Sequence, residues 1–430
     1  MATSVSNVIE GLRYTYGVNK VLYMFNEESP TWAILSKVKK PMGGRGQFIM
    51  PHMVQNPGAF SGIAEGGTLP TALAPDTAEA TFSLQEYVAT YDVTWKLIQD
   101  SRSDKFAFQQ AVQMLEDGLR RRVMRNLNSD LIGTGKGELF TLTGADASGA
   151  IVTSAYLPRV EKGMVVDVVD LTDDDTKIGD SRTVSAVDPV ARTIDLSGAD
   201  LSGEAAGDYG VIQDTTDVTD AICHHSNGLI GIVDDANPAA VVGNYGGINR
   251  STAGNEYWKS VVLSNSGSNR PFTEDLGLEA QDSMREKGSG ALKAWLANQK
   301  ILRRYHEIVR NETIASMGKV DSLGGGAGFG RKGSTSKPAA DGKSPYSFSD
   351  VPFHVDPYFT NNVIVGLDTD HFYLGVGEQD TPRPISDIFD NQPFFRQTTS
   401  ATWEVVWYYQ MELLSDNPAA GVKIEDVAEA

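Results

Sequence analysis

Residues 63–70 read IAEGGTLP, and residues 80–93 read ATFSLQEYVATYDV. The first stretch combines adjacent glycines with a proline, which favours a loop tip. The second alternates apolar and polar side chains at the period of a half-buried strand. With an opening strand at 46–50, they predict a long β-hairpin over residues 43–98. Because an isolated two-stranded ribbon is marginally stable in water, we expect this hairpin to need cover from a partner.

A long helix is predicted directly after the hairpin, at 103–132. Its apolar residues are spaced by four, three, four and four positions, which places them on one stripe. They are Phe108, Val112, Leu115, Leu119 and Val123. Ser103 or Asp104 can cap the first turn, and Gly133 follows the last one. This pattern is the clearest helical signal in the chain.

Charge and short apolar runs mark residues 150–217 as a separate small all-β module. The chain has 37 basic and 56 acidic residues, a net charge of −19. Residues 140–220 alone hold 16 acids and 5 bases, a net of −11. Asp- and Gly-rich turns separate the runs at the spacing of a barrel or sandwich. The composition therefore indicates an inserted module.

Several classes of protein are disfavoured by composition. Apolar residues make up 40% and charged residues 22%, as in a globular protein. One cysteine, Cys223, supplies neither an internal disulfide nor a Cys-rich metal site. No apolar run reaches the length of a membrane span, and no signal peptide is visible at the N-terminus. The acidic charge argues against a protein that coats nucleic acid tightly.

Motifs for chemistry are weak throughout. The GxGxxG match at 328–333 follows a glycine run rather than a strand, and 132–137 lacks the Ser or Thr of a phosphate loop. The segment 306–310 has an arginine where a zinc protease needs its second histidine. At 223–225, Cys-His-His favours a buried structural role over a metal site, and the aspartates at 173–175 favour a solvated turn over a calcium loop. We expect no enzyme activity, cofactor or metal.

The order of these parts resembles the major capsid proteins of tailed phages, with the Hong Kong 97-type fold. Four stretches carry the resemblance: the hairpin tip at 63–70, the helix end and turn at 128–135, the segment YGGINR at 245–250 with Tyr257-Trp258, and FSDVPFHVDP at 348–357. Each stretch alone is a weak match to the family, and the order of the four along the chain is what makes the resemblance specific.

The resemblance implies an α+β chain divided as in that family. The expected divisions are an N-terminal arm at 1–42, an extended loop at 43–98, a peripheral domain at 99–149 with the spine helix, the inserted module at 150–217, an axial domain at 218–400, and a return strand with a C-terminal tail at 401–430. Helices are further expected at 274–287 and 297–310, strands at 362–367, 371–376 and 402–413, and a flexible loop at 321–345.

The function implied is that of a structural subunit of the virion. Members of the family self-assemble in the host cytoplasm as hexamers and pentamers of an icosahedral head, which encloses double-stranded DNA without sequence-specific binding. A separate scaffolding protein, a portal and a decoration protein are the partners implied. A carboxylate-based hydrolase and a tail or sheath protein that forms tubes are the alternatives.

Glu65, Gly66 and Gly67 are expected assembly contacts, because small residues at a bend let a neighbour approach closely. No lysine occurs from 46 to 95. The lysine-to-asparagine crosslink made by the type member of the family therefore has no nucleophile in this loop. We expect the loop to be held to a neighbouring subunit by non-covalent contacts.

A cluster of arginines on the long helix supplies two further candidate contacts. Arg120 and Arg121 have acids four positions earlier and are expected to pair with them. Arg122 and Arg125 have no such acid. Because Arg122 lies beside Gly118 at the edge of the apolar stripe, we expect it to form an ion pair between subunits or domains. A solvated edge and a DNA contact are the alternatives for Arg122.

Overall fold

The structure is a computed structural model of the 430-residue chain. It describes residues 30–38, 47–55, 58–63, 65–72, 74–94, 105–142, 150–152, 159–170, 177–188, 193–197, 205, 207–213, 225–238, 243–287, 291–305, 347–348, 351–360, 362–377, 383–384, 395–396 and 402–428.

Within these residues the protein combines strands with a few helices. The strands are β1 (Ser36–Val38), β2 (Gln47–Gln55), β3 (Asp76–Ser83), β4 (Gln85–Thr94), β5 (Glu138–Thr141), β6 (Ala150–Val152), β7 (Val165–Val169), β8 (Lys177–Asp188), β9 (Thr193–Leu196), β10 (Tyr209–Ile212), β11 (Val261–Leu263), β12 (Ala294–Ala297), β13 (Ser347–Phe348), β14 (Val351–Val355), β15 (Ile364–Leu367), β16 (Phe372–Val376), β17 (Arg383–Pro384), β18 (Phe395–Arg396), β19 (Thr402–Ser415) and β20 (Gly421–Ile424). The helices are α1 (Pro30–Ile34), α2 (Lys105–Ile132), α3 (Leu229–Ile232) and α4 (Glu274–Glu286), with 3₁₀ turns at Tyr245–Gly247, Glu256–Trp258 and Pro418–Ala420.

The first sheet is built around β19. This strand pairs antiparallel with β4 over ten residues and also with β16, β17 and β18, while β1 joins β16 in parallel. The helix α2 packs against this sheet through Val123, Leu127 and Leu131, which share a core with Tyr409 and Met411. The long helix predicted at 103–132 is confirmed at Lys105–Ile132.

The hairpin is shorter than the sequence pattern predicted. The strands β2 and β3 pair antiparallel, from Gln47 opposite Ser83 outward to Gln55 opposite Asp76. Beyond Leu84 the chain changes partner, since β4 pairs with β19 instead. The alternating run at 80–93 is therefore two strands in two sheets. Alternation records which face of a strand is buried but carries no information on the strand beside it.

The second sheet contains the acidic stretch. Its order is β5-β10-β7-β8-β9-β6, and every pairing is antiparallel. Its own core includes Phe140, Val166 and Ile194. The expected start at residue 150 is wrong for this sheet, because β5 at Glu138–Thr141 already pairs with β10. Leu139 and Phe140 bury their side chains there, which explains the earlier start.

The third sheet is mixed, in the order β11-β20-β15-β12-β14-β13. The helix α4 packs against it, and Thr273 caps that helix by accepting a hydrogen bond from the Leu276 backbone nitrogen at 3.4 Å. The expected C-terminal tail is wrong at this point. The strand β20 lies between β11 and β15, and all four of its residues are buried. Val422 and Ile424 supply the apolar core contacts that hold it.

Part of the expected arm packs on the body of the chain. Thr31 is fully buried and donates a hydrogen bond to a carboxylate oxygen of Asp356 at 2.7 Å. Trp32 lies against Tyr409, with ring centroids 6.1 Å apart. The described part of the arm, residues 30–38, is therefore packed on the body of the chain. The rest of the arm, at 1–29 and 39–42, lies outside the described residues.

Other predicted elements are confirmed to within a few residues. The helix predicted at 274–287 is α4, and the strands predicted at 362–367, 371–376 and 402–413 are β15, β16 and β19. Residues 299–305 of the helix predicted at 297–310 are helical, and its remainder lies outside the described residues, as does the loop predicted at 321–345.

Candidate assembly surface

The base of the hairpin is fixed to the body by a small aromatic cluster. Phe48, Ala80 and Phe82 are buried, and the Phe82 ring lies 4.9 Å from the Tyr245 ring. Gly246 adopts φ +63°, and a Cβ there would come within 3.0 Å of the Ala80 Cβ. The glycine thus satisfies both a positive φ and a close approach. These contacts set the direction in which the hairpin leaves the body.

The tip of the hairpin is uncovered. Phe60 is fully exposed, Leu69 is 76% exposed and Ile63 is 53% exposed. Gly66 has φ +77°, and a Cβ built there meets no atom within 4 Å. Glu65, Gly66 and Gly67 are likewise exposed. Exposed apolar side chains grouped on one projecting segment are typical of a contact with another molecule.

The charge of the hairpin has one sign. Residues 46–95 contain five acids and no lysine or arginine. Glu65 is the charged residue of the tip, and Glu79 is exposed on β3. A surface that receives this hairpin is therefore expected to be basic and partly apolar.

One face of α2 is tied to the second sheet. The Arg125 guanidinium forms an ion pair with the Glu161 carboxylate, and it also lies 4.0 Å from the Met164 sulfur. Arg125 is 5% exposed. Arg125, an expected assembly contact, is thus engaged inside one chain, and the ion pair expected at Arg122 between subunits or domains stays a prediction.

Arg122 itself remains exposed and forms no ion pair with the described residues. Partial desolvation of its guanidinium lowers its pKa, and the nearby Glu161 opposes this shift. The acid is already engaged by Arg125, so Arg122 retains its capacity to bind a further anion.

One pair predicted along the helix is wrong, because Arg120 does not pair with Glu116 in the part of the chain that the structure describes. Burial and the nearby Glu116 charge raise the pKa of Tyr91 on β4 to about 12. The Glu116 carboxylate therefore lies close enough to β4 to interact electrostatically with Tyr91. Exposed pairs of this kind contribute so little that competing surroundings decide their geometry.

A second buried arginine also ties the second sheet to the body. Arg159 is 1% exposed, and its guanidinium donates hydrogen bonds to the Tyr358 carbonyl at 3.1 and 2.6 Å. It donates another to the Glu138 carbonyl at 3.0 Å. Because a buried cation is costly unless it is hydrogen-bonded, these contacts fix the sheet firmly against the turn at Tyr358.

The loop at 225–228 joins three elements of the body. His225 Nδ1 lies 2.9 Å from an Asp130 carboxylate oxygen at the end of α2. The Ser226 backbone nitrogen donates to the Tyr87 hydroxyl of β4 at 2.8 Å. The Asn227 backbone and side-chain nitrogens donate to Glu412 Oε1 of β19, at 3.1 and 2.8 Å.

Glu412 is an acid with a raised pKa at this junction. It is 1% exposed, and burial raises its pKa to about 8, with the Asn227 hydrogen bonds opposing that shift. Its second oxygen, Oε2, is buried without a hydrogen-bond partner among the described residues. The group is therefore largely protonated at neutral pH, as a buried carboxyl without a cation is expected to be.

The motifs considered for chemistry form no site in the described residues. His225 is occupied by Asp130, and the Lys136 ammonium lies 5.0 Å from the centre of the Tyr209 ring. No cluster of metal-ligating side chains occurs in the described part of the chain. The matches at 328–333 and 306–310, the aspartates at 173–175, and Cys223 with His224 lie outside it.

A cavity of about 60 Å³ lies between α2 and the strands β4 and β19. Ligand pockets usually measure about 300 Å³ or more, so this cavity is too small for a cofactor or an organic substrate. Among the described residues, no helix is both long and apolar enough to cross a membrane.

Comparison with known proteins identifies the fold. No protein-family model matches the chain, and no curated protein matches it. A chain of the cyanophage A-1(L) capsid asymmetric unit is 13% identical, with a TM-score of 0.53, and the match covers 95% of this chain and 96% of that one. This chain has the fold of a phage capsid protein. The resemblance found in the sequence is confirmed at the level of the fold.

Other solved structures match over similar lengths. A chain of Mycobacterium phage Adephagia is 10% identical, with a TM-score of 0.43 and full coverage of both chains. A chain of the SrpI encapsulin complex from Synechococcus elongatus is 10% identical, with a TM-score of 0.41, and the match covers 97% of this chain and 95% of that one.

Two groups of residues in this capsid fold escaped the sequence reasoning. Glu161 stands among sixteen acids in its stretch, and nothing in the sequence distinguishes it as the partner of Arg125. Glu412 and Asn227 lie 185 residues apart, so their hydrogen bonds leave no local pattern. The strand β19 contains two acids, Glu404 and Glu412, so its sequence does not single out Glu412 as the buried one.

Proposed function

We propose that this chain is the major capsid protein of a tailed phage and assembles as hexamers and pentamers of an icosahedral head. The observation that carries the proposal is the hairpin, whose base is fixed to the body while its tip exposes Phe60, Ile63 and Leu69. Such a tip is uncovered in a single chain and is expected to be covered by a neighbour. The capsid fold supports this interpretation.

Assembly is expected to come from many weak, repeated contacts. Heterologous contacts of one kind close into rings when the rotation between copies permits it, and the rings tile a shell. A separate scaffolding protein, a portal and a decoration protein are the further partners that we propose.

The packaged material that we propose is double-stranded DNA, held without sequence-specific binding. Residues 140–220 carry a net charge of −11, and like charge would repel DNA within the screening length of about 10 Å. We therefore propose that the second sheet faces outward, or lies between capsomers on the outer side. The inner surface is then left to other parts of the chain.

Electron microscopy of the purified protein tests the proposal. Closed shells of uniform diameter are the expected result. Open tubes would favour a tail or sheath protein, and discrete monomers with hydrolytic activity would favour an enzyme. Either of these two outcomes would overturn the proposal.

A further inference from the structure

Among the described residues, the half-buried Gly118 of α2 has free space beside it. A Cβ built on Gly118 meets no atom within 4 Å. Glycine in the interior of a helix is destabilising relative to alanine. No contact within the described chain requires the missing side chain, so a glycine here suits the close approach of another chain.

Half-buried apolar residues and exposed cations surround this opening. At about 100° per residue, Met114 and Arg122 lie about 40° to either side of Gly118. Both Met114 and Leu115 are half-buried. Arg122 is exposed, and Lys162 is exposed on the turn that Glu161 holds beside the helix.

The charge of this face is positive. The carboxylate of Glu161 is engaged by Arg125, while Arg122 and Lys162 form no ion pair with the described residues. An occupant that combines an acid with apolar side chains and a small backbone would complement the face.

The hairpin tip has this composition. Glu65 is exposed and is followed by two glycines, with Ile63 and Leu69 exposed on either side. The hairpin contains no lysine or arginine that would be repelled by Arg122. The helix face therefore offers positive charge and apolar side chains, and the hairpin tip offers the acid, apolar side chains and small backbone that complement them.

We propose that the hairpin tip of one copy docks on the Gly118–Arg122 face of α2 in a second copy, with Glu65 paired to Arg122. This inference rests on the proposed function and specifies its contact. The bend at Gly66 and Gly67 brings the tip backbone against Gly118, where neither side carries a Cβ. Ile63 and Leu69 then cover the half-buried apolar residues of the helix.

Charge reversal tests the pairing. The variants Glu65→Arg and Arg122→Glu each place like charges together, and each should lower the yield of closed shells by about tenfold or more. The double variant restores opposite charges and should recover the yield to within about threefold of wild type. Arg120→Glu is the matched control, because Arg120 is exposed on the same helix about 200° from Gly118. It should leave the yield unchanged.

A crosslink provides a second measurement that does not depend on yield. The variant Glu65→Cys/Arg122→Cys is made with Cys223, the native cysteine, replaced by serine. Mild oxidation of assembled shells should give a ladder of disulfide-linked chains on a non-reducing gel. A disulfide that leaves every chain at monomer mass would show that the tip folds onto its own helix, and would overturn the inference.

The remaining outcomes separate the inference from the proposed function. If wild-type shells form but the double variant stays as defective as the single ones, the pairing is wrong and the function stands. If only Arg122→Glu is defective, Arg122 acts without Glu65, as it would through its neighbour Glu161, and this also overturns the pairing. If the wild-type protein forms no closed shells, the proposed function itself fails.

Discussion

Replacing Glu412 by glutamine should change how the stability of the subunit depends on pH. The wild-type carboxyl has its pKa raised by burial from 4.5 to about 8. In the unfolded chain it loses its proton near pH 4.5, whereas in the folded chain it keeps the proton until about pH 8. Since the unfolded state binds fewer protons in this window, the group lowers the free energy of unfolding as the pH rises from 4.5 to 8.

The magnitude follows from the size of the shift. One pKa unit corresponds to about 1.36 kcal/mol, so the rise of the Glu412 pKa from 4.5 to about 8 lowers the free energy of unfolding by about 5 kcal/mol over the whole range. About 3.5 kcal/mol of this falls between pH 5 and pH 8. Glutamine keeps an amide oxygen for both Asn227 hydrogen bonds and has no proton to lose. The difference between variant and wild type should therefore grow by about 3.5 kcal/mol from pH 5 to pH 8.

Urea unfolding of the dispersed subunit at several pH values measures this difference. Titrations common to both proteins, such as those of other acids and histidines, cancel when the two curves are subtracted. Glu279→Gln, on the exposed side of α4, is the matched control and should give a curve parallel to wild type. A constant difference between Glu412→Gln and wild type across pH 5 to 8 would refute the reasoning.

Three other predictions concern covalent state and glycines. Shells boiled in detergent should run at monomer mass, since residues 46–95 lack lysine; a ladder of covalent oligomers would contradict this. Gly118→Ala should raise the free energy of unfolding of the dispersed subunit by about 0.5–1 kcal/mol in urea titrations, yet lower the shell yield; reduced subunit stability would count against an open helix face. Gly228→Ala should lower the free energy of unfolding of the dispersed subunit by about 3 kcal/mol, because the new methyl group meets the Gly133 carbonyl. An unchanged urea midpoint would disprove that close approach.

Local patterns predicted the elements that local physics decides. The helix α2 follows from a stripe of apolar residues and ends where Gly133 follows it. The predicted strand at 402–413 and the predicted helix at 274–287 likewise match β19 and α4 to within two residues. In each case the deciding residues are within a few turns or strand lengths of one another.

Pairings between strands far apart in the chain could not be predicted from local sequence patterns. The break at Leu84 depends on β19, more than 300 residues later, and β20 becomes a central strand because β11 and β15 flank it. Lys423 also argued against a buried strand at 421–424, because a lysine is rarely buried. Its ammonium is in fact buried beside Asp234 and Glu425. Ion pairs of this kind offset the cost of burial but leave no pattern in the sequence.

The candidate surface was only partly visible in advance. The hairpin tip and Arg122 were indicated by small residues and by the spacing of charges. The pairing of Arg125 with Glu161 was not, because it joins two separate parts of the chain. Arg122, in contrast, is exposed.

A reconstruction of the purified particle by electron cryo-microscopy tests the central claim most directly. The account predicts a closed icosahedral shell whose capsomers are rings of five and six copies of this chain, with each hairpin lying over a neighbouring subunit. A helical tube, or a particle in which the tip of every hairpin contacts only its own chain, would contradict the account.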